Sequence, residues 1–300
     1  MKELDEADEI LGTNRKPYAN KKDYSQYKTS RNNNWRNQQN RDRQAIYDTM
    51  DRMAIIVSGD SDKFKEYLDI QSRFYKYSVG NSLVLLEKAP NSTQIKDKKS
   101  WVEKGVALNE NAKGIKILEP SVSNGITYYN PKVVFDISQT NSSLKETTTN
   151  YGDRVILKAL LHNFNVPREA VDKLPNGEES GTQYDRANNV LYVCKGMNRE
   201  TLFQTLSQEI SNIELENDGN SGMDYFISYC TSYMICKKYG IDVSNYSFHQ
   251  LPREITEQRD GKGIRSQLDR IRSNFERINS RMLDYLEISS KTRNKAVPER

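Results

Sequence analysis

Residues 64–86 read FKEYLDIQSRFYKYSVGNSLVLL, and this stretch decides the fold class of the first half of the chain. In FKEYLDIQSRFYKY, and again in the SLVLLEKA run that ends before Pro90, apolar side chains recur three and four residues apart. That spacing puts them on one face of a helix and predicts two amphipathic helices. The run AIYDTMDRMAIIV, which starts at Ala45, has the same spacing. Three helices are therefore expected before residue 90.

The residues that follow have the composition of β-strands. GIKILEP and ITYYNPKVVFDIS are rich in β-branched and aromatic residues, and the turn dipeptide Asn124-Gly125 separates them. Together with the helices, they predict an α+β domain over residues 45–145. The stretch TNSSLKETTTN is rich in Ser, Thr and Asn and has no apolar periodicity, so the domain boundary is predicted between Gln139 and Tyr151.

Composition restricts the class of protein. The chain has 300 residues, of which 35% are hydrophobic, and a net charge of +4. This is enough apolar sequence for two domain cores, but no run is long enough to span a membrane. The acidic start MKELDEADEI lacks the charge and the apolar segment of a signal peptide, so a cytoplasmic protein without membrane contact is expected. Cys194, Cys230 and Cys236 have no C-x-x-C spacing, which indicates reduced thiols.

The first 44 residues are predicted to form a disordered basic arm. From Thr13 to Arg43 they consist mainly of Asn, Gln, Lys, Arg and isolated aromatic residues, with too little apolar content to pack a core. Arginines of such an arm would contact the phosphates of a single strand while the aromatic rings stack on its bases. The residues of these two kinds are Tyr18, Tyr24, Tyr27, Arg31, Trp35, Arg36, Arg41 and Arg43. A solvated tail that binds nothing specific is the alternative.

A second group of cations and aromatic residues lies within the predicted α+β domain. Cations supply salt-dependent affinity for phosphates, and aromatic faces accept unpaired bases without reading sequence. Both types occur after the second predicted helix and beside the first strand, so this region is the candidate single-stranded DNA site. The candidate residues are Arg73, Tyr75, Lys76, Tyr77, Asn81, Trp101, Lys113 and Lys116. Burial in the core is the alternative for the large aromatic residues, above all for Trp101.

Residues 205–215 read TLSQEISNIEL and have the spacing of a zinc-peptidase helix without its ligands. Such a helix reads H-E-x-x-H, because imidazoles at i and i+4 share one face and bind one ion. Here Gln208 and Asn212 take the two histidine positions, and Glu209 is retained. Carboxamides are poor zinc donors, and Glu209 without a metal has no water to activate. We therefore expect no zinc, no other cofactor and no peptidase activity.

The patterns around this helix predict a mostly helical second domain over residues 146–255. YGDRVILKALLHNFNV predicts a helix, NVLYV a strand of a small β-hairpin, and DYFISYCTSYMICKKYG a helix that ends at Gly240. A C-terminal amphipathic helix is predicted over residues 256–292, followed by a tail over 293–300. Apolar residues on this helix recur from Ile264 to Tyr285, which favours docking on the same chain over pairing with a second chain.

The order of these features resembles the ArdC-type antirestriction and LtrC-like proteins of conjugative plasmids and transposons. The resemblance rests on residues 64–86, Ala89-Pro90, Trp101, KGIKILEP, VVFDISQT, the degenerate zinc helix, and the Y-G-I-D and Y-S-F motifs that follow Lys238. It implies a two-domain α+β protein, with an N-terminal single-stranded-DNA-binding domain and a C-terminal, zincin-like, mostly helical domain with a small β-hairpin or sheet. In that family the second helix supplies the third zinc ligand, and Tyr229 aligns with it.

The resemblance implies a single-stranded-DNA-binding protein of a conjugative plasmid or transposon that protects or handles transferred DNA. Conjugation or relaxosome proteins are the protein partners that fit this role. A protein-interaction module of the transfer machinery with incidental DNA binding is the alternative, and an active zinc peptidase with unusual ligands is a further one. The protein partner, the strand preference and the oligomeric state stay open.

Overall fold

The computed structural model describes the backbone of residues 21–142, 151–216 and 223–295, and the side chains of residues 33–142, 151–215 and 223–290. In its first part, the helices and strands are α1 (Lys21–Gly59), α2 (Ser61–Arg73), α3 (Val79–Lys88), β1 (Ile95–Lys96), α4 (Lys98–Glu103), β2 (Ile115–Ser123) and β3 (Ile126–Asp136). They are followed by α5 (Asp153–Leu160), β4 (Arg168–Val171), β5 (Thr182–Asp185), β6 (Val190–Cys194), α6 (Arg199–Glu216), α7 (Asp224–Lys238), α8 (Arg253–Thr256) and α9 (Gly261–Lys295). The predicted α+β class is confirmed.

Side-chain caps set the start of the helices that surround the first sheet. Asp60 accepts hydrogen bonds from two backbone N–H groups in the first turn of α2, and Ser78 accepts one at the start of α3. Asp97 does the same for α4, where its carboxylate accepts the N–H of Ser100. These caps satisfy N–H groups that have no partner within the helix. The short polar connections between the helices are thereby fixed in place.

The first sheet is antiparallel and has the strand order β1-β3-β2. A two-residue turn joins β2 to β3, and both of its residues, Asn124 and Gly125, have positive φ angles (51° and 74°), as the tight hairpin turn requires. Leu118 lies opposite Pro131. Because proline has no N–H, the two strands exchange no hydrogen bonds at this pair. The peptide groups of Leu118 therefore point away from β3, to the free edge of β2.

The second sheet contains the predicted strand NVLYV, as β6, in its centre. Its order is β4-β6-β5, with β4 parallel and β5 antiparallel to β6. The β5–β6 hairpin turn includes Asn189 at a φ of 51°. Helix α6 packs against β5 on one side and against α7 on the other. The second half of the described chain is thus mostly helical with one small sheet, as predicted.

Helix α9 packs against elements of both halves of the chain. Its contacts include α1 and α3 from the first half and α5, α6 and α7 from the second. Six apolar side chains along it are fully buried: Ile264, Leu268, Ile271, Phe275, Ile278 and Met282. The hydrophobic core is continuous across the proposed domain boundary. Helix α9 therefore docks on its own chain, as predicted. The domain boundary at residues 145/146 stays a prediction, since residues 143–150 lie outside the described part.

The prediction of a disordered arm over residues 1–44 is wrong where the structure describes this segment. Helix α1 begins at Lys21, and the first of its described side chains to be buried is Ile46. Hydrogen bonds one turn apart, such as those from Gln38 to Asp42 and from Gln44 to Asp48, support the exposed part of the helix. Residues 1–20, including Tyr18, and the side chains of Tyr24, Tyr27 and Arg31 lie outside the description.

None of the described helices is both long enough and apolar enough to cross a bilayer.

Candidate nucleic-acid interface

An open groove of about 760 Å³ lies between the first sheet and the α2–α3 connection. The lining includes apolar side chains from three elements, among them Tyr77, Ile95 and Ile117. Four cations line the same groove: Lys76, Lys96, Lys132 and Arg272. Its volume is within the range of about 300–1,000 Å³ that is usual for ligand-binding clefts in proteins. The groove therefore combines an apolar lining with cationic walls.

Two carboxylates neutralise part of this positive charge. The ammonium group of Lys132 lies 2.9 Å from Asp97 and 2.5 Å from Glu119. The hydrogen bond from Lys132, together with that from the Ser100 N–H, lowers the pKa of Asp97 to about 2. Glu119 and Asp97 in turn raise the pKa of Lys132. Asp97 and Lys132 are therefore charged at neutral pH, and the charge of Lys132 is compensated within the groove.

Lys76 and Lys96 are the lining cations whose charge is not compensated in this way. In the described part of the chain neither of them forms an ion pair, whereas Arg272 pairs with Asp269 and Glu276. The ammonium of Lys76 lies 5.7 Å from the ring centre of Tyr75, and that of Lys96 lies 5.7 Å from that of Trp101. An aromatic face attracts a cation but brings no opposite formal charge to it. Lys76 and Lys96 are thus the groove cations available to an anionic ligand.

Two predicted site residues, Tyr75 and Tyr77, are half-buried and differ in their surroundings. Tyr77 lines the groove and stacks on Phe74, with ring centres 5.8 Å apart and an angle of 16° between the planes. Burial raises the pKa of Tyr77, so its hydroxyl is neutral. Tyr75 lies beside Lys238, whose ammonium is 4.7 Å from the ring centre and whose pKa is lowered by burial. Tyr77 is therefore the aromatic member of the predicted set in the groove lining.

Asn81, a predicted DNA contact, lines the groove but has a buried side chain that is bonded to the sheet. Its carboxamide donates to the Leu118 carbonyl at 2.8 Å and accepts from the Leu118 N–H at 2.9 Å. Both groups belong to the free edge of β2, which has no neighbouring strand there. Asn81 thus replaces a missing strand at this residue and fixes α3 to the sheet.

The side chains of Trp101 and Arg73 also form hydrogen bonds to backbone groups of the protein. Trp101 is fully buried and donates its indole N–H to the Phe135 carbonyl at 3.0 Å, which is the core position named above as the alternative to a DNA contact. Arg73 is exposed and donates to the carbonyl groups of Pro90 and Ser92, which holds the connection after α3. In both cases the local sequence is compatible with a structural role and with DNA binding, and the structure shows the contacts within the protein.

Lys113 and Lys116 are exposed, but neither lines the groove. Lys113 lies before β2, and its backbone carbonyl accepts a hydrogen bond from Gln139. Lys116 forms an ion pair with Asp42 of α1 at 2.8 Å, and this hydrogen bond lowers the pKa of Asp42. Lys116 therefore joins the sheet to α1. The structure brings Lys76, Tyr77 and Asn81 to one groove and leaves the other five predicted residues around it.

Sequence reasoning missed several groove residues, of which Lys96, Glu119 and Lys132 carry its chemistry. A signal for two of them was present, because the two-residue turn at Asn124-Gly125 fixes the strand register and sets Lys132 opposite Ile117, one diagonal step from Glu119. A cross-strand ion pair could have been read from that register. For Lys96 no local pattern indicated a position in a strand of the sheet.

Three of the four degenerate zinc-site residues, Glu209, Asn212 and Tyr229, form hydrogen bonds within the protein. Glu209 accepts the N–H of Tyr184 in β5 at 2.8 Å and a hydrogen bond from Asn212 at 3.3 Å. The hydroxyl of Tyr229 accepts the Ser247 N–H at 2.8 Å. Gln208 is half-buried on α6. Glu209 thus ties helix α6 to the edge of the second sheet.

This donor set does not fit a zinc ion. Two carboxamides and a neutral tyrosine are weak ligands, and the retained carboxylate is already bonded to β5. Across residues 33–142, 151–215 and 223–290 no three His, Cys, Asp or Glu side chains are grouped to hold a metal ion. The absence of zinc and of peptidase activity nevertheless stays a prediction.

Comparison with known proteins finds similarity at the level of structure. No family model matches the chain, and no curated protein matches its sequence. Two crystal structures of the antirestriction protein ArdC from the R388 plasmid are similar to it, both at 12% sequence identity. The Mn(II)-bound structure has a TM-score of 0.43 over 72% of this chain and 97% of that chain. The metal-free structure has a TM-score of 0.44 over 69% of this chain and 86% of that chain.

Proposed function

We propose that this chain binds single-stranded DNA in the groove between the first sheet and the α2–α3 connection. The observation that carries the proposal is the pair Lys76 and Lys96, two uncompensated ammonium groups on the walls of an open groove with an apolar and aromatic lining. Ammonium groups attract the phosphates of a strand, and the lining accepts its unpaired bases.

The aromatic lining favours a single strand over a duplex. Tyr77 and Tyr129 both line the groove, and Tyr129 is 47% exposed. Base stacking on such rings is worth about 1–3 kcal/mol per base and requires bases that are not paired with a second strand. In a duplex the faces of the bases are occupied by their neighbours, so only the phosphate contacts would remain.

Helix α1 extends the cationic surface beyond the groove. Arg43 donates to the Tyr129 carbonyl at 2.8 Å, so α1 meets the sheet at a residue that also lines the groove. Farther along the exposed part of α1 lie Trp35, which is 63% exposed, Arg36 and Arg41. A strand that leaves the groove at Tyr129 would meet these side chains next.

The biological role that we propose is the protection or handling of transferred DNA, in the cytoplasm, by a protein of a conjugative plasmid or transposon. It rests on the groove and on the sequence motifs shared with ArdC-type and LtrC-like proteins. Residues 45–145 would form the DNA-binding unit, and residues 146–255 a peptidase-like unit that carries Gln208, Asn212 and Tyr229 where zinc ligands would be needed. No enzymatic step is assigned to either unit.

A second candidate function, binding to a protein of the transfer machinery, is favoured by the β2–β3 hairpin. Residues 119–130 are exposed throughout, and Val122 and Ile126 are 74% and 56% exposed. Ile126 and Tyr128, which is 47% exposed, lie on one face of the hairpin and Val122 lies on the other. Neighbouring exposed apolar side chains are a common feature of interaction surfaces. Serine substitutions at Val122 and Ile126 would abolish a protein contact there and leave binding in the groove intact.

Fluorescence anisotropy of a labelled single-stranded oligonucleotide tests the DNA proposal. For single strands, each phosphate contact contributes about 0.7 to the slope of log affinity against log salt concentration. The double variant Lys76→Gln, Lys96→Gln should therefore bind more weakly, with a salt slope smaller by about 1.4. The matched control, Lys158→Gln with Lys262→Gln, removes two exposed lysines that do not line the groove and should leave the slope unchanged.

Two results would overturn the proposal. Equal affinity of the groove variant and the control would show that the groove is not the site. Equal competition by unlabelled duplex would show that the bases play no part in binding, and it would move the protein-interaction function to first place.

A further inference from the structure

We infer that the groove prefers strands whose bases carry an exocyclic amine, and that the carboxylate of Glu119 is the group that recognises the amine. The inference rests on the proposed single-strand function and adds a base preference to it. The groove has one feature that is unexpected in a site for a negatively charged strand. A groove for a polyanion contains two carboxylates, those of Asp97 and Glu119.

A carboxylate repels a phosphate at close range, so the backbone of a bound strand cannot run along this part of the groove. The phosphates are instead attracted to Lys76 and Lys96, whose charges are uncompensated. When the backbone follows these lysines, the parts of the strand that can face the carboxylates are the bases. The carboxylates therefore meet base edges.

Only one of the two carboxylates is available to a base. Asp97 caps α4 through the Ser100 N–H at 2.7 Å and also binds Lys132, and its side chain is 25% exposed. Glu119 caps no helix, and its side chain is 52% exposed. In the described part of the chain its hydrogen-bond partner is Lys132, which binds Oε1. The second oxygen, Oε2, can accept a further hydrogen bond.

In the same cluster an acceptor is more exposed to the strand than the donor is. Lys132 has three N–H donors, and two of them are directed at Asp97 and Glu119. The third N–H is left, but the Lys132 side chain is 31% exposed and that of Glu119 is 52% exposed, so the Glu119 carboxylate is the more exposed group. The amino group of cytosine donates to a carboxylate, whereas thymine has a carbonyl oxygen at the same position and would be repelled. Adenine carries an amino group at the equivalent edge.

The test compares dC12 and dT12, two pyrimidine strands of equal length and charge, at pH 8, where cytosine is neutral. Full-length protein with native Glu119 should bind dC12 about fivefold or more tightly than dT12, which is the lower end for a well-placed contact to a base. In Glu119→Gln the ratio should fall close to one, because a carboxamide both donates and accepts. Affinity for dT12 should rise, because a negative charge is removed.

Glu254→Gln is the matched control, since Glu254 is an exposed glutamate that does not line the groove, and it should keep the native ratio. Retained or higher affinity of Glu119→Gln for dT12 also shows that its groove is intact. A native ratio near one, or a ratio that survives the Glu119 substitution, would overturn the inference while leaving the single-strand function in place. Failure of the native protein to bind either strand would instead overturn the proposed function.

Discussion

Replacing Asn81 with alanine should destabilise the protein by about 2–3 kcal/mol, and the magnitude follows from two hydrogen bonds. The Asn81 carboxamide bonds to both the N–H and the C=O of Leu118 at 2.8–2.9 Å. A buried peptide group left without a partner costs about 1–3 kcal/mol, which gives about 2–6 kcal/mol for the two. Asn81 also borders the open groove, so water can enter the vacated space and reduce the loss to about 2–3 kcal/mol, the low end of that range.

Urea unfolding followed by far-ultraviolet circular dichroism measures this loss. The matched control is Asn130→Ala on β3, whose side chain is exposed and bonds to Ser121, and it should change the unfolding free energy by less than about 0.5 kcal/mol. A loss below about 0.5 kcal/mol for Asn81→Ala would refute the argument for an edge contact. If stability stayed constant and oligonucleotide affinity fell, Asn81 would be a DNA contact after all.

Three further predictions concern other buried or paired side chains. Trp101→Phe should lower the unfolding free energy in urea by about 1–3 kcal/mol, because a buried backbone carbonyl loses its indole donor. Glu209→Ala should cost about 1–2 kcal/mol, because the Tyr184 N–H loses its acceptor, and Glu209→Gln should cost less. The pKa of Asp97, about 2, lies below its ordinary value of 3.8, so its ion pair with Lys132 stabilises the protein above about pH 4. That contribution, about 1 kcal/mol after solvent screening, should disappear as the pH falls from 4 to 2, and Asp97→Asn should not show this loss.

Each of the three has an outcome that contradicts it. If Trp101→Phe were as stable as the native protein but bound DNA more weakly, the indole would belong to the DNA-binding surface. Equal unfolding free energies for Glu209→Ala and Glu209→Gln would mean that the bond to β5 contributes nothing measurable. If Asp97→Asn left the acid unfolding curve unchanged, the ion pair would contribute nothing measurable to the unfolding free energy.

Apolar periodicity predicted those parts of the fold that bury one face of a helix. The series from Ile264 along α9 is an example, because each of its members from Ile264 to Met282 is fully buried. The same signal missed the part of α1 before Ile46, which is polar on all sides and buries none of its described residues. Once the buried part of a helix has formed, each added residue extends it at little cost, so its exposed end needs no apolar pattern.

The candidate site was predicted only in part, because residue type does not determine whether a side chain faces the core or a ligand. Lys76 and Tyr77 lie in the groove, as their neighbourhood in the sequence suggested. Asn81 and Trp101 bond to backbone groups of β2 and β3, which are 37 and 34 residues away in the chain. Contacts at that separation depend on the relative position of helix and sheet, and no local pattern encodes it. The register of the hairpin, which the turn does encode, would have revealed Glu119 beside Lys132.

The position of α9 has a consequence for how the protein is made on the ribosome. The helix follows every strand and every other described helix in the chain, and its apolar face covers α1, α3, α5 and α7. During synthesis at about 5–20 residues per second, these elements emerge seconds before the segment that covers them. A nascent chain interrupted before Ile264 would present their apolar surfaces to solvent, where they are targets for chaperones and for aggregation.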